Sequence, residues 1–486
     1  MAADCLDRIF YFLDERPGIQ HTCLFVNKQW SGTVVSRLWK EPFRQCFALS
    51  SSPQRVNQLM RTYMYFRDCI NPNQTPTLYD YPSFLKKINI VEVDAAVREY
   101  VKWQNTSRNQ EIDCKVLMDS VGMLLSTRCP GLNIVIAECR TSITWHDTIF
   151  SNSTIKFRTI TTIICTLPGR KAGLLNRIVS NNLMHIAVSL DSASNQFEIE
   201  DAQALARLLT SQTRLKKFEL ARCGVSSPYV MSALRSQANS LRYIGFAAIS
   251  FSKWITLEEL VDFEQLETIV FNGCFDISAK LIAPIIIPNL LEIYLDVTPY
   301  QPEISDVCDI IARNFNNTLR VVNLGRHDGR NVIEPFAKWC PELREFSSSV
   351  PNGEIWALYD LLECCTHIEK VNVIGDIWNE FDVNQLFSKL GNLQLPNLRH
   401  LSICGKWQFS AGVLDQWLAG SAPALESLEF SWPVRFTEEH LEVIVRRLSG
   451  TLRYLKLQLF DAIDVDTICL SSCILALEVW PDNVDQ

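Results

Sequence analysis

At 486 residues, with 47% hydrophobic and 21% charged residues, the chain has the composition to fold along its whole length but is too long for one compact core. It should divide into domains or form a repeat array. A net charge of −8 and the lack of any Lys/Arg-rich run exclude a basic footprint for nucleic acid and a polybasic membrane patch.

CLDRIFYFL (5–13) sets Leu6, Ile9, Phe10 and Leu13 on one helical face, and Arg16-Pro17-Gly18 ends that helix. A second short helix, IQHTCLFV (19–26), carries Ile19, Cys23 and Val26 on one side. VNKQWSGTVVSRLWKEPF then spaces Trp30, Val34 and Leu38 by four with Trp39 beside them, and Pro42 closes the run. A unit this small is marginal alone. Its large apolar residues need cover from later parts of the chain or from another protein.

Residues 2–43 resemble an F-box. The family pattern begins with an acidic residue and Leu-x-x-Ile-Phe-x-x-Leu, matched by Asp4, Leu6, Ile9, Phe10 and Leu13. After a turn it continues as Cys-x-x-Val, then Asn or Cys, Lys or Arg, any residue and Trp, with a closing Leu-Trp, matched by Cys23, Val26, Asn27, Lys28 and Trp30, then Leu38 and Trp39. Ala2 and Ala3 replace the Leu-Pro pair that usually precedes the first helix, which implies a weaker grip on the adaptor or a start upstream of Met1. The resemblance implies that residues 1–45 form a three-helix F-box docking on a Skp-type adaptor, and through it on a cullin-RING ubiquitin ligase. Leu6, Ile9, Phe10, Leu13, Val26, Trp30, Leu38 and Trp39 are the adaptor-binding residues it implies. Large side chains, Trp above all, dominate such interfaces. Sealing the module's own small core is a second role for Trp30, compatible with the first.

Residues 46–130 are expected to be a helical connector and the N-terminal cap of a repeat array. RVNQLMRTYMYF (55–66) and VEVDAAVREYVKW (91–103) read as helices, separated by the proline-broken loop NPNQTPTLYDYP (71–82). VLMDSVGMLLSTRCP (116–130) leads into the body of the chain, and the layout resembles fungal F-box proteins with a helical segment before their repeats.

From residue 131 to 486 the chain repeats. Apolar residues recur at relative positions 0, 3 and 5 in triplets that begin at Leu215, Leu241, Leu266, Leu290, Leu319, Leu343, Ile368, Leu398, Leu425 and Leu452. The starts are 26, 25, 24, 29, 24, 25, 30, 27 and 27 residues apart, and in the Leu343 copy Ser348 breaks the pattern. Weaker copies are set at Gly131, Phe157 and Leu183. Cys139, Cys165, Cys223 and Cys274 then share relative position 8, a slot under the turn that favours packing over metal chemistry. Helix-like stretches lie between triplets at 199–212, 304–317, 354–365 and 437–450, the last starting at Thr437 with Glu438 and Glu439 after it. The end, CILALEVWPDNVDQ, is expected to close the array as a C-terminal cap.

Strand then helix at this period is the leucine-rich-repeat pattern, in which no unit buries its apolar face alone. Strands stack ~4.8 Å apart and helices ~8–10 Å apart, so the array should bend into an α/β horseshoe with a parallel concave sheet and outer helices. A doubly wound sheet or a TIM barrel also alternates strand and helix, but neither requires the same triplet so many times. Side chains alternate along a strand, so the concave wall should present Tyr294, Asp296, Asn323, Arg326, Lys370, His400, Glu429, Trp432, Tyr454 and Lys456. Tyr294, Arg326, Lys370, His400, Trp432, Tyr454 and Lys456 are the candidate substrate-binding residues, with Trp432, Tyr454 and Lys456 in one patch. Ordinary mixed surface polarity is the alternative for each.

Motifs for catalysis are missing: there is no GxxxxGK[ST], GxSxG, HExxH or GxGxxG after a strand. GRKAG (169–173) lacks the hydroxyl partner of a phosphate loop, and Cys469 and Cys473 have no nearby completing ligands for zinc. No metal or cofactor is expected, nor an enzyme. The 17 cysteines form no CxxC pair, and the start of the chain has no positive region ahead of a long apolar stretch. LIAPIIIPNLLEIYL (281–295), the most apolar run, falls short of the ~20 residues a spanning helix needs. These features point to a cytoplasmic and/or nuclear chain with reduced thiols, touching neither nucleic acid nor membrane. The resemblance then implies the substrate-recognition subunit of an SCF-type ligase, directing a protein substrate to ubiquitination and degradation. A leucine-rich-repeat scaffold or inhibitor without ligase function remains open, as does a ligase with its own acceptor cysteine.

Overall fold

The computed structural model describes residues 8, 10, 22–44, 53–68, 79–108, 113–137, 155–166, 171–190, 195–223, 227–251, 257–297, 303–327, 331–350, 354–375, 381–382, 384, 388, 391–393, 395–405, 407–420, 424–431, 437–459 and 476–481. They fall into two units, Met1–Leu241 and Arg242–Gln486.

In the first unit Asn27 caps the helix that follows it. Its side chain accepts the Trp30 N–H at 2.9 Å and starts α1 (Lys28–Leu38). The helices expected in the connector follow as α2 (Pro53–Asp68), α3 (Ile90–Arg108) and α4 (Cys114–Arg128), the last capped by Asp113. Between α2 and α3 lies β1 (Lys87–Asn89), which pairs in parallel with β2 (Ile134–Ala137). The sheet therefore begins inside the span expected to be a helical connector. Leu85, Ile88 and Ile90 are the buried 0, 3, 5 triplet of that early strand. Its spacing matches that of Leu215, Phe218 and Leu220, but it lies 47 residues ahead of the triplet at Leu132, outside the ~26-residue period.

The sheet continues through β3 (Thr162–Cys165), α5 (Ala172–Leu175), β4 (His185–Ser189), α6 (Asn195–Thr210), β5 (Lys217–Ala221) and α7 (Ser227–Leu234). Two weak copies shift register. Ile134 pairs with Thr162 and Thr162 with His185, so the triplets begin at Leu132 and Ile160, not at Gly131 and Phe157. FRTITTIIC offers both settings, but only Ile160, Ile163 and Cys165 put three apolar side chains into fully buried slots. Phe157 instead bridges to Ile178. Cys165 thereby moves from the slot under the turn to the strand itself. Cys223 and Cys274 hold position 8 as buried free thiols, and Cys139 lies outside the described residues.

The second unit comprises β6 (Tyr243–Ala247), β7 (Thr268–Cys274), α8 (Ala279–Ile282), β8 (Glu292–Val297), α9 (Ile304–Asn314), β9 (Val321–Asn323), α10 (Glu334–Trp339), β10 (Glu345–Ser349), α11 (Ile355–Cys364) and β11 (Lys370–Ile374). After β12 (Phe381–Asp382) come β13 (His400–Cys404), β14 (Trp407–Gln408), α12 (Ala411–Gly420), β15 (Ser427–Ser431), α13 (Glu438–Leu448), β16 (Tyr454–Leu459) and β17 (Ala476–Pro481). β12 and β14 form a separate small pair. All other neighbours in the unit pair in parallel, and the register joins position 2 of each triplet to position 2 of the next, from Tyr243–Thr268 to Ser427–Tyr454. β17 adds to β16 inside the stretch expected to be a cap.

The physical basis is simple. Every described residue at positions 0, 3 and 5 from Leu215 to Leu455 is buried, each large aliphatic contributing ~1.5–3 kcal/mol. Consecutive helices pack beside one another, as α9 on α10, α10 on α11 and α12 on α13 do. Within each unit this architecture, with a parallel sheet and one helix or turn per strand, fits a leucine-rich-repeat solenoid. The turns after the strands need unusual backbone: Gly325 sits at φ +61, where a Cβ would come within 2.5 Å of Asp296 Oδ1.

Candidate functional site

In the N-terminal module, Phe10, Cys23 and Val34 make a small buried core on which Leu24, Trp30 and Leu38 pack while staying half-exposed. Trp30 meets Phe10 edge to face at 5.4 Å between ring centres. Phe10 is fully buried, so it shapes this core and has no surface left for a partner. Leu6, Ile9 and Leu13 lie outside the described residues. Trp39 turns the other way, stacking on Tyr81 at 4.4 Å and reaching Tyr63 at 6.0 Å. Facing water are Val26, 55% exposed, and beside it Phe25, 79% exposed. Phe25 lies in a turn and is out of phase with Ile19, Cys23 and Val26 in the helical reading of 19–26, so periodicity does not single it out. Val26, Trp30 and Leu38 thus share one module with an uncovered apolar flank, whereas Trp39 serves the chain's own interior.

The end of α1 also joins the sheet. At each repeat of this unit, the N–H groups of positions 1 and 2 donate to the carbonyl of position 1 in the repeat before, as Asn133 and Ile134 do to Lys86. Lys86 and Lys87 donate to Lys40 O in the same way, at 3.1 and 3.2 Å. Trp39 and Lys40 therefore stand where positions 0 and 1 of a preceding repeat would be. A Lys87–Glu41 ion pair at 3.2 Å and a Tyr79 Oη to Ser31 Oγ hydrogen bond at 3.0 Å fasten the joint.

In the second unit, positions 2 and 4 of the strands face away from the buried triplets, making an open sheet face. Glu345, Lys370, Asn372, His400, Ser402, Ser427 and Glu429 line a groove of about 400 Å³ on it. Lys370 pairs with Glu345 at 3.3 Å and Lys456 with Glu429 at 3.0 Å, while Asn372 Nδ2 donates to Ser347 Oγ at 3.0 Å. His400 lies in register between Lys370 and Ser427. With its lysines and glutamates matched in pairs, the groove also offers hydrogen-bonding side chains on His400, Ser402 and Ser427, a chemistry suited to a polar, extended peptide.

Of the candidate substrate residues, Lys370 and His400 line this groove, and Lys456 borders it through Glu429. Tyr454, half-buried, is in register with Ser427 on its margin. Tyr294 lies in the row of Asn323, Ser347 and Asn372, and burial pushes its hydroxyl up, helped by Glu292 and Glu345. Arg326 is exposed beyond β9, and Trp432 lies outside the described residues. Asn372, Ser402 and Ser427 escape sequence reasoning. Their positions are legible from the triplets, but a preference for large hot-spot side chains passes over small polar ones.

GRKAG has its own occupant. Lys171 is fully buried, and the Lys171 and Ala172 N–H groups each donate to Asp201 Oδ1 at 2.7 Å, with Lys171 Nζ 3.9 Å from Oδ2. A carboxylate of the chain itself fills the place an anion would take. Burial likewise pushes the thiols of Cys165, Cys340 and Cys365 up to about 12 and that of Cys274 to about 11, so they stay protonated at neutral pH. Among the described residues no group of three or more His, Cys, Asp or Glu could hold a metal ion, and no helix is long and apolar enough to cross a membrane.

No protein-family model matches the sequence, and no curated protein matches it. Among solved structures, the crystal structure of the Rad7 and Elc1 complex in yeast is similar at 14% identity, covering 76% of this chain and 82% of that chain with a TM-score of 0.36. A likeness that distant carries no argument about partners or activity.

Proposed function

We propose that the chain is a non-catalytic substrate-recognition subunit of an SCF-type cullin-RING ubiquitin ligase. Its N-terminal helices bind a Skp-type adaptor and its open sheet face binds a protein substrate. The observation that carries this reading is the solvent exposure of Phe25 and Val26 on the module whose motif resembles an F-box. Such a subunit supplies no reacting group. It works by holding substrate near a charged conjugating enzyme, which raises effective concentration. A cytoplasmic and/or nuclear location accords with that role.

A purified Skp-type adaptor tests the proposal directly. The intact chain should be captured, and Phe25→Asp/Val26→Asp should reduce capture at least about tenfold while melting as the parent does, both side chains being exposed. A second reading, a leucine-rich-repeat scaffold without ligase function, draws on Trp39 and Lys40, through which α1 caps the sheet edge. Failure of the parent to bind adaptor, or equal binding by the double variant, would favour it.

A further inference from the structure

Between Ile155 and Leu190 the sequence holds Lys156, Arg158, Arg170, Lys171 and Arg177 and no carboxylate, in a chain whose net charge is −8. Asp201, from α6, answers Lys171. The fold brings Lys156, Arg158 and Arg177 together with Arg207, near the end of α6. The parallel bridge between Phe157 and Ile178 sets Lys156 and Arg158 alongside Arg177, with Phe157 N donating to Arg177 O at 2.9 Å. Lys156 Nζ then lies 3.5 Å from Asn176 O, and Arg207 donates to Asn176 Oδ1 at 3.2 Å. Arg177 donates to Gly173 O at 2.9 Å, while its Nε is buried with no hydrogen-bond partner.

These partners are neutral oxygens, which accept hydrogen bonds without cancelling charge. Among the described residues, Lys156, Arg158, Arg177 and Arg207 form no ion pair. The segments that hold the cluster, 155–166 and 171–190, carry no acid. On α6, Glu198, Glu200 and Asp201 all precede Arg207 by six residues or more, about 9 Å along the helix axis. Like charges set side by side repel, so the cluster costs stability until an anion meets it. Lys156 and Arg177 are half-buried and Arg158 and Arg207 exposed, which leaves the cations accessible.

We propose that Lys156, Arg177 and Arg207, with Arg158 beside them, bind a phosphate monoester. Three cations gathered at Asn176 and its neighbour suit one compact group with several acceptor oxygens and close to two negative charges, more than a lone carboxylate supplies. A small phosphorylated compound and a phosphorylated side chain of a partner present this same group. The site uses neither Phe25 and Val26 nor the groove of the second unit, so it stands apart from adaptor and substrate binding.

Thermal melts and titration calorimetry on the full chain test this with inorganic phosphate, against chloride at equal ionic strength. Phosphate should bind and raise the melting midpoint, and chloride should do neither. Lys156→Gln/Arg207→Gln should weaken phosphate binding about tenfold or more. Without phosphate the double variant should melt no lower than the parent, because it removes repulsion. A lower melt, the outcome if these cations serve only to cap carbonyls, overturns the proposal. So does the absence of phosphate binding, unchanged binding by the double variant, or equal binding of acetate. Glucose 6-phosphate and a phosphoserine peptide, compared with its unphosphorylated form, then separate the sources: tighter binding of the sugar phosphate supports a small compound, and of the phosphopeptide a modified partner.

Discussion

Ser348 reads as a defect in the triplet beginning at Leu343, and its neighbour explains it. The fully buried Ser348 Oγ lies 2.9 Å from Nε2 of buried His327, and Ser348 Oγ also donates to Ser349 O at 2.8 Å. An apolar residue at 348 would leave the imidazole nitrogen without that partner. Ser348→Val should therefore destabilise the chain by ~1–3 kcal/mol in urea unfolding, despite restoring the apolar pattern. Glu219 supplies a pH signature. Burial pushes its carboxyl up, but hydrogen bonds from His185 at 3.2 Å and Lys217, with their charges, outweigh this and bring it from 4.5 down to about 2. The folded value is depressed, so the contribution is fully present above about 4.5 and is lost as pH falls through about 2. Acid melts of the parent and Glu219→Gln should thus converge below that window and separate above it, with the parent the more stable.

At the scale of elements, the ties between neighbouring repeats matter as much as the apolar triplets. Gln212 Nε2 donates to Ser180 O and Gln237 Nε2 to Leu209 O and Gln212 O, while Cys340 and Cys365 thiols donate to Ala312 O and Cys340 O. Each satisfies a carbonyl at the helix end or turn of an adjoining repeat, where the ladder does not reach. α5 depends on a similar tie, since Asp201 from α6 accepts its first N–H groups beside buried Lys171. Asp201→Ala should cost ~3–5 kcal/mol, because it removes the carboxylate beside a buried ammonium as well as the cap. Lys171→Met/Asp201→Ala should recover part of that loss in the same unfolding measurement.

For the molecule as a whole, the stacking logic makes ends the weak points. On the sequence alone, removing residues 1–45 should abolish adaptor binding and leave the repeats untouched. The Lys40 carbonyl and Trp39 change that expectation: the deletion also strips the cover from β1. Hydrogen exchange should show the Lys86 and Lys87 amides losing protection in a chain lacking 1–45 and keeping it in Phe25→Asp/Val26→Asp. The point variants are therefore the cleaner probe of adaptor binding.

The repeat itself is legible from residue spacing, because each strand must bury positions 0, 3 and 5 and the same demand recurs at every turn of the chain. From Leu215 onward the predicted triplets are the observed register. Upstream, where FRTITTIIC satisfies two registers, burial alone selects one. Whether Phe25, Phe10 or Trp39 faces water is likewise beyond the sequence. Periodicity places a side chain on a face of its own helix, but only packing against Tyr63, Tyr81 and the module's core decides which face is covered.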